Sequence, residues 1–386
     1  MKAPLLPEPP VNTITEGAQT QPQAAVLSDG TYVVVWQSAG QDGSSASIVY
    51  QRFSALGEPL STETVATANG LGAQQDPAIA ATDDGGFVIV WEAVFADNPT
   101  SSDFGVLARQ FGPDGLPAGD AFVVNTTNTL GTQFDPVVAG LSGGGFAVAF
   151  VDDFGDGSNL GIQIRFYDAA GVPSGPDFQV NTTTPGAQSA PAMATIAPSG
   201  AANGLATGGV VVAWQDGGNA RAQVFDSAGM PVGGEITLPG TAGAQDAAVA
   251  GLTGGRFVAV WTENGTDGSA TGVFGQVYEG DGTAIGAVFP VNVETAQDQF
   301  DPAVSGIDDG GFVVTWTSDT IGTAGDGSGQ GVISRRFDAT GTPVTGEAVV
   351  NQTTSSTQNR SDVAGLAGGT FVTVFESADA DQTGVF

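Results

Sequence analysis

The side chains of this chain that could do chemistry are almost all carboxylates. The sequence has no cysteine and no histidine, and Lys2 is its only lysine. Those absences remove a thiolate nucleophile, a Ser-His-Asp triad, histidine-ligated zinc and Schiff-base catalysis. Carboxylate, tyrosine or calcium chemistry is what remains. Short-spaced acids offer it directly: Asp152 with Asp156 in "DDFGDGSN", and Asp379 with Asp381 in "ADADQTG". Two carboxylates so placed can share a hard cation such as calcium, which takes clustered oxygen ligands. Asp-Gly-Ser is equally a common turn sequence, and no stretch completes an EF-hand loop.

A second set of polar residues recurs at fixed positions along the chain. Gln19, Gln74, Gln133, Gln188, Gln299 and Gln358 align with one another, and Asp76, Asp135, Asp246 and Asp301 follow at a second aligned position. Arg360 stands where the others have Asp. Such a ring could bind a ligand, with Arg360 as the residue for an anion or as half of an ion pair. The same Gln and Asp residues could instead hydrogen-bond loop backbone and neighbouring repeats, recurring because the architecture recurs. Two Asp or Glu at the right separation would also hydrolyse a glycoside. No copy, however, combines acid, base and arginine clamp into one marked sector.

The elements that position these residues come from an internal repeat. "YVVVW" at 32–36 returns as "FVIVW" at 87–91, "FAVAF" at 146–150, "VVVAW" at 210–214, "FVAVW" at 257–261, "FVVTW" at 312–316 and "FVTVF" at 371–375. Trp36 to Phe375 is 339 residues over six intervals, a period of about 56 that suits a propeller array. Each copy holds four short apolar runs broken by turn signals such as DG, GG and TGTP, and none keeps a helical period. In copy six these runs, strands A to D, are "PAVSGI", "GFVVTWT", "GVISRRFD" and "EAVVN". Strand B is apolar on both faces, so its tryptophans belong to the core and each blade lies between two others. Strand A carries small residues, Ala25, Ala80, Ala139, Ala194, Ala250, Ser305 and Ala364, as the crowded innermost strand would. Aromatic residues that break the repeat, Phe95 and Phe154, are candidates for an exposed apolar or sugar-binding spot.

Copy seven stops after "TGVF" at 383–386, and its missing outer strand has its match at the other terminus: "PLLPEPPVN" (4–12) aligns with "PVTGEAVVN" (343–351). The expected fold is therefore all-β, a seven-bladed β-propeller of four-stranded antiparallel blades, its ring closed by the N-terminal strand. Residues 1–386 form one domain in this reading.

The stretches "DPAVSGIDDGGFVVTW", "SRRFDATGTPV" and "VNTT" resemble the propeller-like repeats of very large secreted bacterial proteins that also carry RTX (hemolysin-type, calcium-binding) repeats. The resemblance spans nearly the whole chain. It implies an extracellular or cell-surface module used for adhesion or binding, with catalysis seldom attributed. A tandem G-G-x-G-x-D array, that family's calcium-loading device, is absent. "DGG" before an aromatic is also similar to the Asp box of sialidases, but it lacks that motif's Ser-x-Asp spacing and its Thr-Trp.

Charge narrows the partners. Nine Lys and Arg against 41 Asp and Glu give a formal net charge of -32. Nucleic acid is a poor partner for such a surface, because binding it requires cations that neutralise phosphate. No apolar run would span a bilayer, and "MKAPLLPEPP" holds no signal-peptide stretch, so the chain is expected to be either cytoplasmic or cut from something larger; its Cys-free, acidic, Gly/Asp-rich composition argues for an exported origin. These features lead to the expectation of a secreted, non-catalytic binding or structural module. It would act in adhesion or in binding a glycan or protein through its loop-rich acidic face, as a monomeric domain with calcium as the candidate ion. The alternatives are a carbohydrate-active enzyme, glycoside hydrolase or lyase, using a carboxylate pair, and an architectural spacer.

Overall fold

The computed structural model describes residues 8–67, 72–94, 96, 103–157, 159–199, 205–240, 243–265, 268, 270–319, 329–352, 356–378 and 383–386. These form seven antiparallel blades in a ring, with no helix among the described residues. In blade six the strands are Gln299–Gly306, Phe312–Ser318, Gly331–Phe337 and Ala348–Val349, paired in that order from the axis outward. The innermost strand of every blade touches the innermost strand of the next, and that of blade seven (Gln358–Leu366) touches that of blade one (Gln19–Val26).

Strand B of each blade lies in the middle of its sheet and beneath its neighbours, so residues on both its faces leave water. Trp36, Trp91, Trp214, Trp261 and Trp316 are all buried, as are the phenylalanines in the same position of blades three and seven, Phe150 and Phe375. Apolar clusters run from one blade into the next; Trp316 packs with Val258 and Val260 of blade five. Fully burying such a ring removes the largest apolar surfaces of the chain from water.

Close packing at the axis fixes a second set of residues. A Cβ on Gly251 would lie 1.9 Å from the Thr195 carbonyl of the preceding blade, and one on Gly306 would lie 2.4 Å from the Gly251 carbonyl. These glycines directly follow the aligned small residues Ala250 and Ser305, so the inner strands approach backbone to backbone at their far ends.

Ring closure follows the predicted alignment. In most blades a Val-Asn pair follows the outer strand, and the Asn Oδ1 accepts an N–H near the start of strand C: Asn125 from Val106 (2.8 Å), Asn292 from Val273 (2.7 Å) and Asn351 from Val332 (2.9 Å). In blade seven the N-terminal Asn12 does this for Val385 at 2.9 Å, and the Val11 N–H donates to the Val385 carbonyl at 2.8 Å. Glu8 completes the match by accepting the Gln352 N–H, as Glu347 of blade six accepts the Val293 N–H. Residues 4–7 of the proposed closing segment lie outside the described residues.

Replacing Asn12 by Ala strands the buried N–H of Val385 and is expected to cost about 1–3 kcal/mol. Trp316→Ala, by comparison, should cost about 3–5 kcal/mol through the cavity it leaves. Chemical unfolding of the two variants checks both values; an Asn12 variant as stable as the wild type would refute closure through the N-terminal segment.

Candidate active site at the channel mouth

Strand A of every blade breaks its register with strand B at one place, between Gln75 and Ala78 in blade two and between Phe300 and Ala303 in blade six. The residue in each break has a left-handed backbone: Gln21, Asp76, Asp135, Ala190, Asp246, Asp301 and Arg360, with φ between 48° and 55°. In five blades the next residue is proline (Pro22, Pro77, Pro136, Pro191, Pro302), which has no N–H to leave unpaired in the break. A bulge of this kind turns one side chain out of the alternating pattern. Here seven of them converge on the mouth of the central channel, where they meet across blade boundaries.

The aspartates and Arg360 of the sequence alignment are therefore brought together. The aligned glutamines are placed beneath them, inside the blades. Gln19 and Gln299 each accept the indole N–H of their own blade's tryptophan, Trp36 and Trp316, at 2.9 Å. Gln133, Gln188 and Gln358 accept Asn125, Asn181 and Asn351 amides at 2.8, 3.0 and 3.2 Å, and Gln74 donates to the Gly72 carbonyl. All six are buried. Blade five has Ala244 in this position, and there Glu263 takes the Trp261 indole N–H at 2.9 Å.

Two residues absent from the sequence reading complete the mouth. Glu92 and Glu376 directly follow the aromatic position of strand B, where the other blades carry Gln37, Val151, Gln215, Thr262 and Thr317. Each reaches across a blade boundary to the bulge of the following blade: Glu92 Oε1 accepts the Asp135 N–H and Glu376 Oε1 accepts the Gln21 N–H, both at 2.7 Å. Gln75 Nε2 donates to the other oxygen of Glu92 at 2.9 Å. The signal for both was present as a break in the repeat at the residue after the aromatic.

The electrostatics follow from this crowding. Burial, reinforced by the carboxyl groups of Asp76 and Asp135, pushes Glu92 up to about 7 against the pull of the Asp135 N–H. Burial also raises Asp76, which lies within hydrogen-bond reach of Glu92, and the Arg360 guanidinium opposes that rise. Asp135 is raised by burial and by Asp76. Across the mouth, burial and Asp246 raise Asp301, again opposed by Arg360. Arg360 itself pairs with Glu376 at 3.4 Å. Two residues further along strand A stand Ala78, Val137, Ala192, Ala248 and Ala303, which pack in or against the apolar clusters of the blades, with Gln23 and Asp362 as the polar members of that position. Asp362 accepts the Ala24 N–H at 2.8 Å, and burial pushes it up to about 6.

The acids of the outer loops do not converge in the same way. Asp152 accepts the Phe154 N–H at 2.8 Å and the Asn128 amide at 3.0 Å, while Asp156 accepts the Asn159 N–H at 3.2 Å. Asp379 and Asp381 lie outside the described residues, as does Phe95. Among the described residues no group of three or more acidic side chains is placed to hold a metal ion. Phe154 is 64% exposed on the mouth side, its ring lying where a Cβ on Gly131 would come within 2.7 Å.

No family model matches the chain, and no curated protein does. Solved structures do share the fold. The Penicillium chrysogenum α-L-arabinanase complexed with arabinobiose superposes with a TM-score of 0.52 at 12% identity, over 95% of this chain and 92% of that one. A Dyadobacter fermentans protein of unknown function gives 0.52 at 12% identity, over 97% and 95%. The NanB sialidase of Streptococcus pneumoniae gives 0.50 at 12% identity, over 98% of this chain and 69% of that one.

These neighbours correct two expectations. The resemblance to RTX-type repeat proteins is not upheld: the solved structures that share this architecture include a sialidase and an arabinanase. The motifs behind that resemblance serve turns and blade contacts, which any such ring needs. The reading of a non-catalytic binding or structural module is corrected likewise: the solved propellers that share the fold include a sialidase and an arabinanase. At this identity the likeness is one of fold.

Raised carboxyls give a pH signature. Glu92 at about 7 and Asp362 at about 6 hold protons that the unfolded chain, at 4.5 and 3.8, would release. The native state thus binds more protons in that window, and stability rises as pH falls through it. The melting temperature at pH 5 should exceed that at pH 8, and Glu92→Gln should narrow the difference. A melting temperature that climbs toward pH 8 would contradict this assignment.

Proposed function

We propose that the chain is a glycoside-cleaving enzyme that acts on neutral glycans at the channel mouth between blades two and three. The observation that carries this reading is the Asp76–Glu92 pair: two carboxyl groups within reach of each other, one pushed up to about 7, beside a third on the next blade. Two interacting carboxylates cannot both ionise freely, so near neutrality the pair retains one proton. That proton can pass to the oxygen of a departing sugar, which is the task of a general acid. Asp135, whose N–H is tied to Glu92, supplies the carboxylate that attacks the anomeric carbon or draws a proton from water.

Charge supports the substrate class. The mouth gathers Asp76, Glu92, Asp135, Asp246, Asp301 and Glu376 against the single cation Arg360, which Glu376 already engages. An anionic sugar would meet net repulsion there, whereas a neutral one loses little on approach. Phe154, on the mouth side in the strand B–C loop of blade three, offers an apolar face on which a sugar ring can stack. The arabinanase that shares the fold was solved with a neutral disaccharide, arabinobiose.

Hydrolysis of aryl glycosides of neutral sugars, pentoses included, tests the reading. Glu92→Gln and Asp135→Asn should each lower kcat by about 10²–10⁴-fold, the usual contribution of a positioned acid or base. Sialosides should be spared. A wild type inert on all neutral glycosides, or variants as active as the wild type, would overturn the proposal.

A further inference from the structure

Phe154 is an exposed aromatic ring whose backbone is fixed on both flanks. Asp152, the last residue of strand B in blade three, is 1% exposed, and its Oδ1 accepts the Phe154 N–H at 2.8 Å and the Asn128 amide at 3.0 Å. On the other flank the Gly155 carbonyl takes Gln163 Nε2 at 3.1 Å. The loop is also tied to the one that precedes strand A: the Asp153 N–H donates to the Thr132 carbonyl at 3.1 Å, and the Thr132 N–H to Asp153 Oδ2 at 3.2 Å. Gly131 decides how the ring lies. A Cβ there would meet ring carbons at 2.7 and 2.9 Å, so the ring rests on the glycine and keeps its other face in water. The same position is left-handed in every blade, as Gly17, Gly72, Gly131, Gly186, Gly243, Gln297 and Ser356, with φ between 67° and 104°. Blades six and seven thus accept a side chain where blade three leaves room for Phe154. Leu130, beside Gly131, is 71% exposed and has its N–H held by Asn128 Oδ1 at 3.1 Å. In blades one, four, five, six and seven the strand B–C loop has no aromatic residue.

We propose that Phe154 and Leu130, held on Gly131, form a second sugar subsite outside the acids, so that the substrate is a neutral oligosaccharide or polysaccharide and not a single-sugar glycoside. The inference rests on the reading of the mouth as a glycosidase site. Separation along the chain carries it. Gly131 lies four residues before Asp135 on the same segment, up to about 13 Å away at the rise of an extended strand. A carbon attacked at Asp135 must come within about 3–3.5 Å of the reacting oxygen. The ring that stacks on Phe154 is therefore a different unit of the glycan from the ring at the acids. Fixing the platform before the sugar arrives removes part of the ordering cost of binding, which a free aromatic side chain on a loose loop would incur. The platform is apolar and carries no charge of its own, which suits the C–H face of a neutral sugar. Phe154 and Leu130 set preference by length; Gly131 is a positioning residue that acts through the ring.

The test is calorimetric titration of the Glu92→Gln protein with arabino-, xylo- and gluco-oligosaccharides of one to five units. Affinity should rise about tenfold or more from the single sugar to the longer members of the series that binds. Adding Phe154→Ala should remove that gain, and Phe154→Trp should keep it. Gly131→Ser should remove it too, because its Cβ displaces the ring from a turn that accepts Ser356 in blade seven. Gly186→Ser is the control: it places the same side chain at the same position of blade four, where a Cβ meets nothing within 4 Å, and the gain should survive. In proteins that retain Glu92, Phe154→Ala should raise KM for the longer substrates more than it lowers kcat. Saccharides that bind without gaining from length, or a gain that survives Phe154→Ala, would overturn the inference and leave the glycosidase reading standing. Failure of every neutral saccharide to bind or be cleaved would overturn both.

Discussion

Everything in this ring depends on what becomes of the backbone N–H groups that strand pairing leaves over at the blade boundaries. A backbone N–H left out of strand pairing needs an acceptor, and each blade presents several where it turns or bulges. The chain answers them with acids from the neighbouring blade. Glu63 takes the N–H groups of Thr13 and Ile14, Asp177 those of Thr126 and Thr127, and Glu235 those of Thr182 and Thr183. On the far face Asp83 and Asp308 accept N–H groups of the next blade's turn, from Gly143 and from Gly368 and Gly369. A carboxylate suits this work because it accepts several donors at once and cannot be mistaken for one. Part of the chain's negative charge thus serves its seams, before any ligand is considered.

The candidate site is a special case of that device. Glu92 and Glu376 bind the bulge N–H of the following blade as the other seam acids bind turn N–H groups, but they do so at the channel mouth, beside bulge residues that are themselves acidic. Crowding there raises the affinity of the group for protons, opposed by Arg360 and by the N–H groups of Asp135 and Gln75. Where the fold needs a hydrogen-bond acceptor, and the acceptor is forced close to a second carboxyl, a proton is retained.

Much of the scaffold was legible from the chain. A strand apolar on both faces, repeated with its tryptophans in one position, can only be the covered middle of a blade, and the Glu8 and Asn12 match to Glu347 and Asn351 identified the closing segment because both residues make contacts that recur. The site was legible in part. Asp76, Asp135, Asp246 and Asp301 showed as aligned acids before strand A, yet the pattern of alternating residues gives no sign that a left-handed bulge would turn them into the channel. Gln19 and Gln299 aligned just as well and went to the tryptophans instead. Repetition marks what the architecture uses; Glu92 and Glu376 break it, and alignment on the repeat passes over them. The same bias explains the RTX resemblance, which was built from strand and turn residues that the architecture repeats.

The central claim is that a neutral glycan is cleaved at the mouth between blades two and three. A crystal structure of the Glu92→Gln variant soaked with a neutral oligosaccharide tests it most directly. The account predicts sugar seated over Asp76 and Asp135 with a glycosidic oxygen facing the Asp76–position 92 pair and a ring against Phe154. Sugar bound only at the outer loops or on the far face, with the channel mouth empty, would contradict it.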